Sequence, residues 1–159
     1  MALIIFTDGC SLGNPGPMGI GVVAYRFGKK VREIGEHIGE GTNNVAEYTA
    51  AIRALEFARK EGEREVRIRA DSQLLVRQLN GEYRVRDAKL KPLKRRIEEL
   101  CSGMSVAFEH IPREQNEEAD ALSKKGAEEG KRKKKSGAGA GHGTQGIGHR
   151  KAGQQKLEL

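Results

Sequence analysis

The strongest constraint on how this chain folds is the run Leu3-Ile4-Ile5-Phe6-Thr7-Asp8, followed at once by Gly9-Cys10-Ser11-Leu12-Gly13-Asn14-Pro15-Gly16-Pro17. A short continuous apolar run of this composition predicts a buried strand over Ala2 to Asp8. It ends on a carboxylate, and an unpaired buried carboxylate is costly or shifts its pKa. Asp8 is therefore either a cap for the turn, the common use of Asp-Gly, or a ligand held rigidly by the strand. The dipeptide alone leaves both open. The next apolar run starts with small residues at alternate places, Gly19 and Gly21.

The rest of the chain frames that strand. Gly19 to Arg26 and Lys30 to Ile38 read as two more strands; the short connection Phe27-Gly28-Lys29 makes an antiparallel three-strand meander. Residues 39–44 are loop by composition. Val45, Tyr48, Ile52 and Leu55 fall at helical spacing over Asn44 to Glu61, with Thr42 or Asn43 as N-cap and Gly62 closing the helix. Glu65 to Ala70 is a strand ending on Asp71, and Ser72 to Leu79 a short helix. A connector, Gly81 to Lys91, leads to a helix over Pro92 to Leu100. A strand over Ser105 to Ile111 and a helix over Glu114 to Glu129 complete the body. Strands alternating with helices imply parallel crossovers. The expected fold class is α/β: a mixed five-stranded sheet, the antiparallel meander plus two parallel strands, flanked by helices.

Charge separates the chain into two materials. Eight of the 29 Lys and Arg lie from Lys131 onward, against the single acid Glu158, so the net charge of +7 belongs to that segment and residues 1–130 carry 21 residues of each sign. The run Lys131-Arg132-Lys133-Lys134-Lys135 and the glycine-rich stretch after it have neither an apolar period nor an aromatic, which predicts a disordered basic tail over 131–159. A neutral body needs a local patch to hold a polyanion. No run of 18 apolar residues is present, so no membrane partner is expected. Cys10 and Cys101 lack metal-ligand spacing and read as reduced thiols of a cytoplasmic protein.

Four acids interrupt apolar or small surroundings at element ends: Asp8, Glu47 between Ala46 and Tyr48, Asp71 after Ala70, and Asp120 between Ala119 and Ala121. Ligands of open α/β sheets gather at the C-terminal ends of parallel strands. If the first and fourth strands are neighbours, Asp8 and Asp71 stand side by side, and two helices need only aim Glu47 and Asp120 at the same spot. Oxygen ligands without Cys or His suit hard cations, Mg²⁺ or alternatively Mn²⁺. A pair of such ions about 3.5–4 Å apart serves in-line phosphodiester cleavage. Singly, each acid also fits a turn cap, a helix-dipole partner or a solvent-facing charge.

Together with these acids, Thr7-Asp8-Gly9, Leu12-Gly13-Asn14-Pro15-Gly16-Pro17, Thr42-Asn43-Asn44-Val45-Ala46-Glu47, Ala70-Asp71-Ser72-Gln73 and Asn116-Glu117-Glu118-Ala119-Asp120 resemble, in order and spacing, the type 1 ribonuclease H family. The resemblance covers about residues 2–128 and makes 1–130 the catalytic domain. It implies endonucleolytic hydrolysis of the RNA strand of RNA–DNA hybrids, leaving 5′-phosphate and 3′-hydroxyl ends, with two divalent cations as cofactors. It implies that Asp8 bridges both cations, that Asp120 holds the one activating water, and that Glu47 and Asp71 hold the one at the leaving oxygen. It matches Asn14 and Thr42 to a DNA-phosphate contact, and Asn43, Asn44 and Gln73 to sugars and base edges in the minor groove, where the 2′-hydroxyl marks RNA. Ser72, Arg113 and Asn116 complete the substrate-contacting set. Backbone contacts of this kind carry little sequence information, so cleavage is expected to be nearly sequence-independent. A non-catalytic hybrid-binding module and a strand-transfer nuclease of integrase type are the other readings.

The chain departs from many bacterial members in two places. Their loop histidine is absent from Pro112-Arg113-Glu114-Gln115-Asn116; His110 lies on the preceding strand, where it is expected to be packed or half-exposed, and Arg113 is the candidate charge stabiliser. Their long basic protrusion is replaced by a short connector. Between positions 84 and 96, however, Arg84, Arg86, Lys89, Lys91, Lys94, Arg95 and Arg96 meet only Asp87, a candidate patch for the hybrid. In these respects the chain looks like compact archaeal and related bacterial members, some of which also cut RNA–RNA duplexes, so double-stranded RNA is a second candidate partner. No protein partner is needed, and a monomer is expected.

Overall fold

Alternation along the first strand decides how the layers stack. In the computed structural model, which describes residues 2–140, β1 (Leu3–Ser11) buries Leu3, Ile5, Thr7 and Gly9 on one face and half-buries Ile4, Phe6, Asp8 and Cys10 on the other. β2 (Gly16–Arg26) and β3 (Lys29–Gly41) follow as the antiparallel meander; β4 (Glu65–Ala70) and β5 (Ser105–His110) run parallel to β1. The sheet order is β3-β2-β1-β4-β5, the mixed five-stranded sheet expected.

Helix α1 (Asn43–Lys60) lies against one face. Its stripe of fully buried alanines, Ala46, Ala50, Ala54 and Ala58, lets it approach the strands closely, and Tyr48, Ile52 and Leu55 fill the core with Leu3, Ile5, Ile20, Val22, Val66 and Ile68. Thr42 is the N-cap, its hydroxyl accepting from the Val45 amide at 3.3 Å. Gly62, at φ +72°, takes the left-handed step that ends the helix. α2 (Gln73–Leu79) and α3 (Lys91–Cys101) complete this layer, with Ser72 as the α2 N-cap. α4 (Glu117–Ala140) covers β2 and β3 on the opposite face. The two cysteines are free thiols. Among the described residues no helix is long and apolar enough to cross a membrane.

Three boundaries differ from expectation. β1 does not end at Asp8 but runs on to Ser11, because β2 keeps pairing with it to Ser11↔Met18; what ends near Asp8 is the parallel pairing with β4, whose last pair is Thr7↔Ala70. Residues 113–115 form a separate 3-10 turn and α4 starts only at Glu117, since Asn116 breaks the helical path. At its far end α4 does not stop at Glu129; it continues through Lys131–Lys135 to Ala140. Lys, Arg and Ala are strong helix formers. The remainder of the expected disordered tail, residues 141–159, lies outside the described residues.

Candidate active site

Parallel neighbours β1 and β4 stop pairing at Thr7↔Ala70, and the next residue on each is an acid. Asp8 and Asp71 are thereby brought together at the C-terminal edge of the parallel strands. Glu47 arrives from α1 through a backbone-to-backbone approach: a Cβ on Gly9 would lie 2.3 Å from the Ala46 carbonyl carbon, so only glycine lets β1 and α1 meet there. Asp120 arrives from α4 in the same way. A Cβ on Gly21, the residue paired with Asp8, would lie 2.0 Å from the Ala119 oxygen, and one on Gly19 would lie 2.0 Å from the Ser123 oxygen. The alternating small residues of β2 are the seat of α4.

Hydrogen bonds fix the acids. The fully buried Ser123 hydroxyl sits 2.6 Å from Asp8 Oδ2 and 2.9 Å from the Asp120 carbonyl; its one proton goes to the carboxylate, the shorter and charged acceptor. Asn116, 1% exposed, donates from Nδ2 to the Thr7 carbonyl at 2.9 Å and to Asp71 Oδ2 at 2.8 Å. Lys124 Nζ lies 3.0 Å from Asp120 Oδ2, one helical turn along. Asp8, Glu47 and Asp71 line one small concavity with Thr7 and Ser72.

Burial and crowding show in the acidities. Asp8 is pushed up to about 7, by burial first and then by the charges of Asp71 and Asp120, while the Ser123 hydrogen bond and Arg113 pull the other way. Glu47 is pushed up to about 8, by burial and by Asp8 and Asp71, against the Ser72 hydrogen bond and Arg113. Among the described residues no three His, Cys, Asp or Glu side chains form a ready-made metal cage; carboxylates that repel one another do not draw together without a cation. The donor set itself fits a hard divalent cation. All four acids offer oxygen, and two are forced toward protonation by a site that a positive charge would relieve.

The other expected contact residues divide by position. Asn14 Oδ1 accepts from the Asn43 amide at 3.2 Å, and Asn43 Oδ1 accepts from the Ser11 amide at 2.8 Å, so the turn after β1 is stitched to the start of α1. Asn14, Asn43 and Gln73 are exposed; Thr42, Asn44 and Ser72 are half-buried. Arg113 is exposed on the 3-10 turn, with its charge felt at both Asp8 and Glu47. Asn116 is corrected: buried, with its amide hydrogens spent on Thr7 and Asp71, it positions Asp71 and has none left for a substrate. His110 is exposed at the end of β5, not packed or half-exposed, because an edge strand's last residue has no layer over it.

The basic connector from 84 to 96 is partly offset by acids from outside it. Folding places Glu82 and Glu98 in the same groove as Arg84, Lys91, Lys94 and Arg95, and pairs Arg96 with Glu56 and Glu99, each at 3.7 Å. Ser123 and Lys124 were not among the candidates. Their spacing of three and four residues from Asp120 was the available signal.

A family model described as reverse transcriptase-like matches residues 7–126. The ribonuclease HI of Halobacterium salinarum is 43% identical over 120 residues, covering 74% of this chain; the chain spans 60% of that protein's length. The crystal structure of RNase H1 from the same archaeon superposes with a TM-score of 0.77 at 40% identity, over 81% of this chain and 99% of that one. LC11-RNase H1, a compost metagenome protein solved in complex with RNA/DNA hybrid, gives 0.76 at 43% identity, over 80% and 97%. The matched stretch contains all four clustered acids, and the chain belongs to the type 1 ribonuclease H family.

Proposed function

We propose that this protein is an endonuclease that hydrolyses the RNA strand of RNA–DNA hybrids, largely regardless of sequence, leaving 5′-phosphate and 3′-hydroxyl ends. The observation that carries the reading is the convergence of Asp8, Glu47, Asp71 and Asp120, from four elements, on the C-terminal edge of β1 and β4. Relatives named ribonuclease H, and a similar structure holding an RNA/DNA hybrid, support it.

The acidity of Asp8 responds to both Asp71 and Asp120. Asp8 would be the shared ligand of two cations, with Asp120 serving one and Glu47 and Asp71 the other. Two Mg²⁺, or Mn²⁺, held there would supply the charge that activates the attacking water and stabilises the leaving oxygen. The protein's own part is to hold the acids in place. Ser123 fixes the rotamer of Asp8, Asn116 fixes Asp71, and Lys124 balances Asp120. The exposed rim of Asn14, Asn43 and Gln73, with Thr42 beneath it, offers short polar groups to phosphates and sugars. All four acids come from one chain, so a monomer would hold the whole corner. Two free thiols suit a reducing compartment such as the cytoplasm.

The test is cleavage of labelled hybrid, RNA duplex and DNA duplex in Mg²⁺ and in Mn²⁺. The hybrid is expected to be cut on its RNA strand alone, and Asp8→Asn to lower the rate by about 10³-fold or more in a folded protein. Equal cutting of duplex DNA, or binding without turnover in either metal, would overturn the reading.

A further inference from the structure

We propose that the basic extension of α4, from Lys131 to Lys134, is a second phosphate-holding surface that carries the DNA strand of the hybrid onward from the Asn14/Thr42 corner. The inference rests on the hybrid-hydrolysis reading and adds to it a place and a mode of binding.

The placement follows from how α4 tracks β3. A Cβ on Gly126 would lie 2.3 Å from the Glu36 oxygen, and one on Gly130 would lie 2.1 Å from His37 Nδ1. One turn further, Lys134 Nζ lies 3.4 Å from Glu40 Oε1. The helix thus advances with the strand toward its end at Gly41, directly before Thr42. One residue, Gly41, separates Glu40 from Thr42, so the two lie two chain steps apart, about 7 Å at the usual rise. One strand of a duplex advances about 3.4 Å per nucleotide, so the anchor of the extension lies roughly two nucleotides from the phosphate corner.

Charge and exposure identify what the surface takes. Lys131, Arg132 and Lys133 are exposed and, among the described residues, make no ion pair. Lys134 has one acid partner, itself 52% exposed, a pair that solvent and salt screen. Successive helical residues are turned by about 100°, so these cations fan around the helix instead of forming one face. A protein helix docking on a single side would engage only some of them. A polyanion held through counterion release needs no fixed register, and long flexible Lys and Arg side chains can reach its phosphates from more than one helical position. Residues 1–130 carry equal numbers of acids and bases, so this local excess adds attraction for a nucleic acid that the net charge of the body does not supply.

The experiment measures binding of a labelled hybrid by fluorescence anisotropy, in Mg²⁺ and in an Asp8→Asn background that prevents cutting, at 50 to 200 mM salt. Full-length Lys131→Gln/Arg132→Gln/Lys133→Gln is expected to bind about tenfold more weakly at the lowest salt. Its slope of log affinity against log salt should be shallower by about 2 to 3, at about 0.9 per phosphate contact. A Kd and a slope both unchanged within twofold would overturn the proposal. Helical placement is tested by Lys131→Pro, which interrupts the helix yet keeps the later charges. It should bind at least twofold more weakly than Lys131→Gln, and equal affinity of the two would also overturn the proposal. Cleavage of the hybrid by the unaltered protein decides the underlying reading separately.

Discussion

Up to Gly130, α4 lies with its backbone against the backbones of β2 and β3; beyond it the same helix carries Lys131 to Lys134 past the last glycine contact. The first part is placed by missing atoms. Gly19, Gly21 and Gly126 leave gaps that no side chain could share, and dispersion at such short range tolerates almost no displacement. The second part is joined to the body among the described residues by one exposed ion pair to Glu40. Precise chemistry is set by close packing, and attraction at a distance by charge that packing need not hold in register. Asp120 and Ser123 ride on the first part, which is why the acid corner is well defined although burial and neighbouring charge work against ionised Asp8 and Glu47.

The largest expected effect attacks the packed part. Gly21→Val puts a branched side chain where a Cβ already meets the Ala119 oxygen at 2.0 Å. It should cost about 2–4 kcal/mol and, by lifting Asp120 and Ser123 from Asp8, lower cleavage by about 100-fold or more. Thermal unfolding and turnover check this. Lys131→Gln on the basic part should leave the melting temperature within about 2 °C.

Next in size is the response to pH without divalent cations. Asp8 and Glu47 are raised to about 7 and about 8, above their ordinary values. The folded state therefore holds more protons than the unfolded state between about pH 4 and 8. The stability contributed by these two acids should be fully present below that window and be lost as pH rises through it, by on the order of a few kcal/mol. Mg²⁺ should restore more stability at pH 8 than at pH 5, where it must displace protons. Melting curves at several pH values, with and without Mg²⁺, measure both; stability that rises from pH 5 to 8 would contradict the acid cluster.

Ser123→Ala removes a hydrogen bond to a carboxylate, typically about 1.5–3 kcal/mol. Activity should drop about tenfold. Because Ser123 holds the Asp8 acidity down, the acidic limb of the pH–rate profile should move to higher pH. A loss of rate without that shift would mean that Ser123 only supports packing.

The smallest effect is expected from Lys124→Gln. Its side chain is 61% exposed, so the pair with Asp120 should be worth less than about 1 kcal/mol. Removing a tethered cation from a cation-binding acid should tighten Mg²⁺ binding about two- to threefold. A titration followed by thermal shift reads it, and weaker binding would show that Lys124 helps to gather the cations.

Much of this was legible in the chain because it depends on near neighbours. Strand and helix periods, the Gly62 stop and the Thr42 cap rest on steric rules that act within a few residues. The four acids stood out because each interrupts an apolar or small-residue setting. Asn116 misled for the opposite reason. Its place in a motif says nothing about whether its amide faces solvent or, as here, Thr7 and Asp71, more than 40 residues away in sequence. The connector from 84 to 96 was legible only in part, since Glu56, Glu82, Glu98 and Glu99, which offset some of its charge, lie outside the window in which its charges were counted.

The sequence by itself determined the order of elements, the identity of the acids and the separation of a neutral body from a basic end, all properties of local pattern and composition. Only the tertiary structure decided which acids share a corner, that Ser123, Asn116 and Lys124 hold them, and that the helix bearing Asp120 continues as a basic arm that reaches Glu40. The physical reason is distance along the chain. Side chains more than a hundred residues apart, such as Asp8 and Ser123, meet only where glycines let two backbones close on each other.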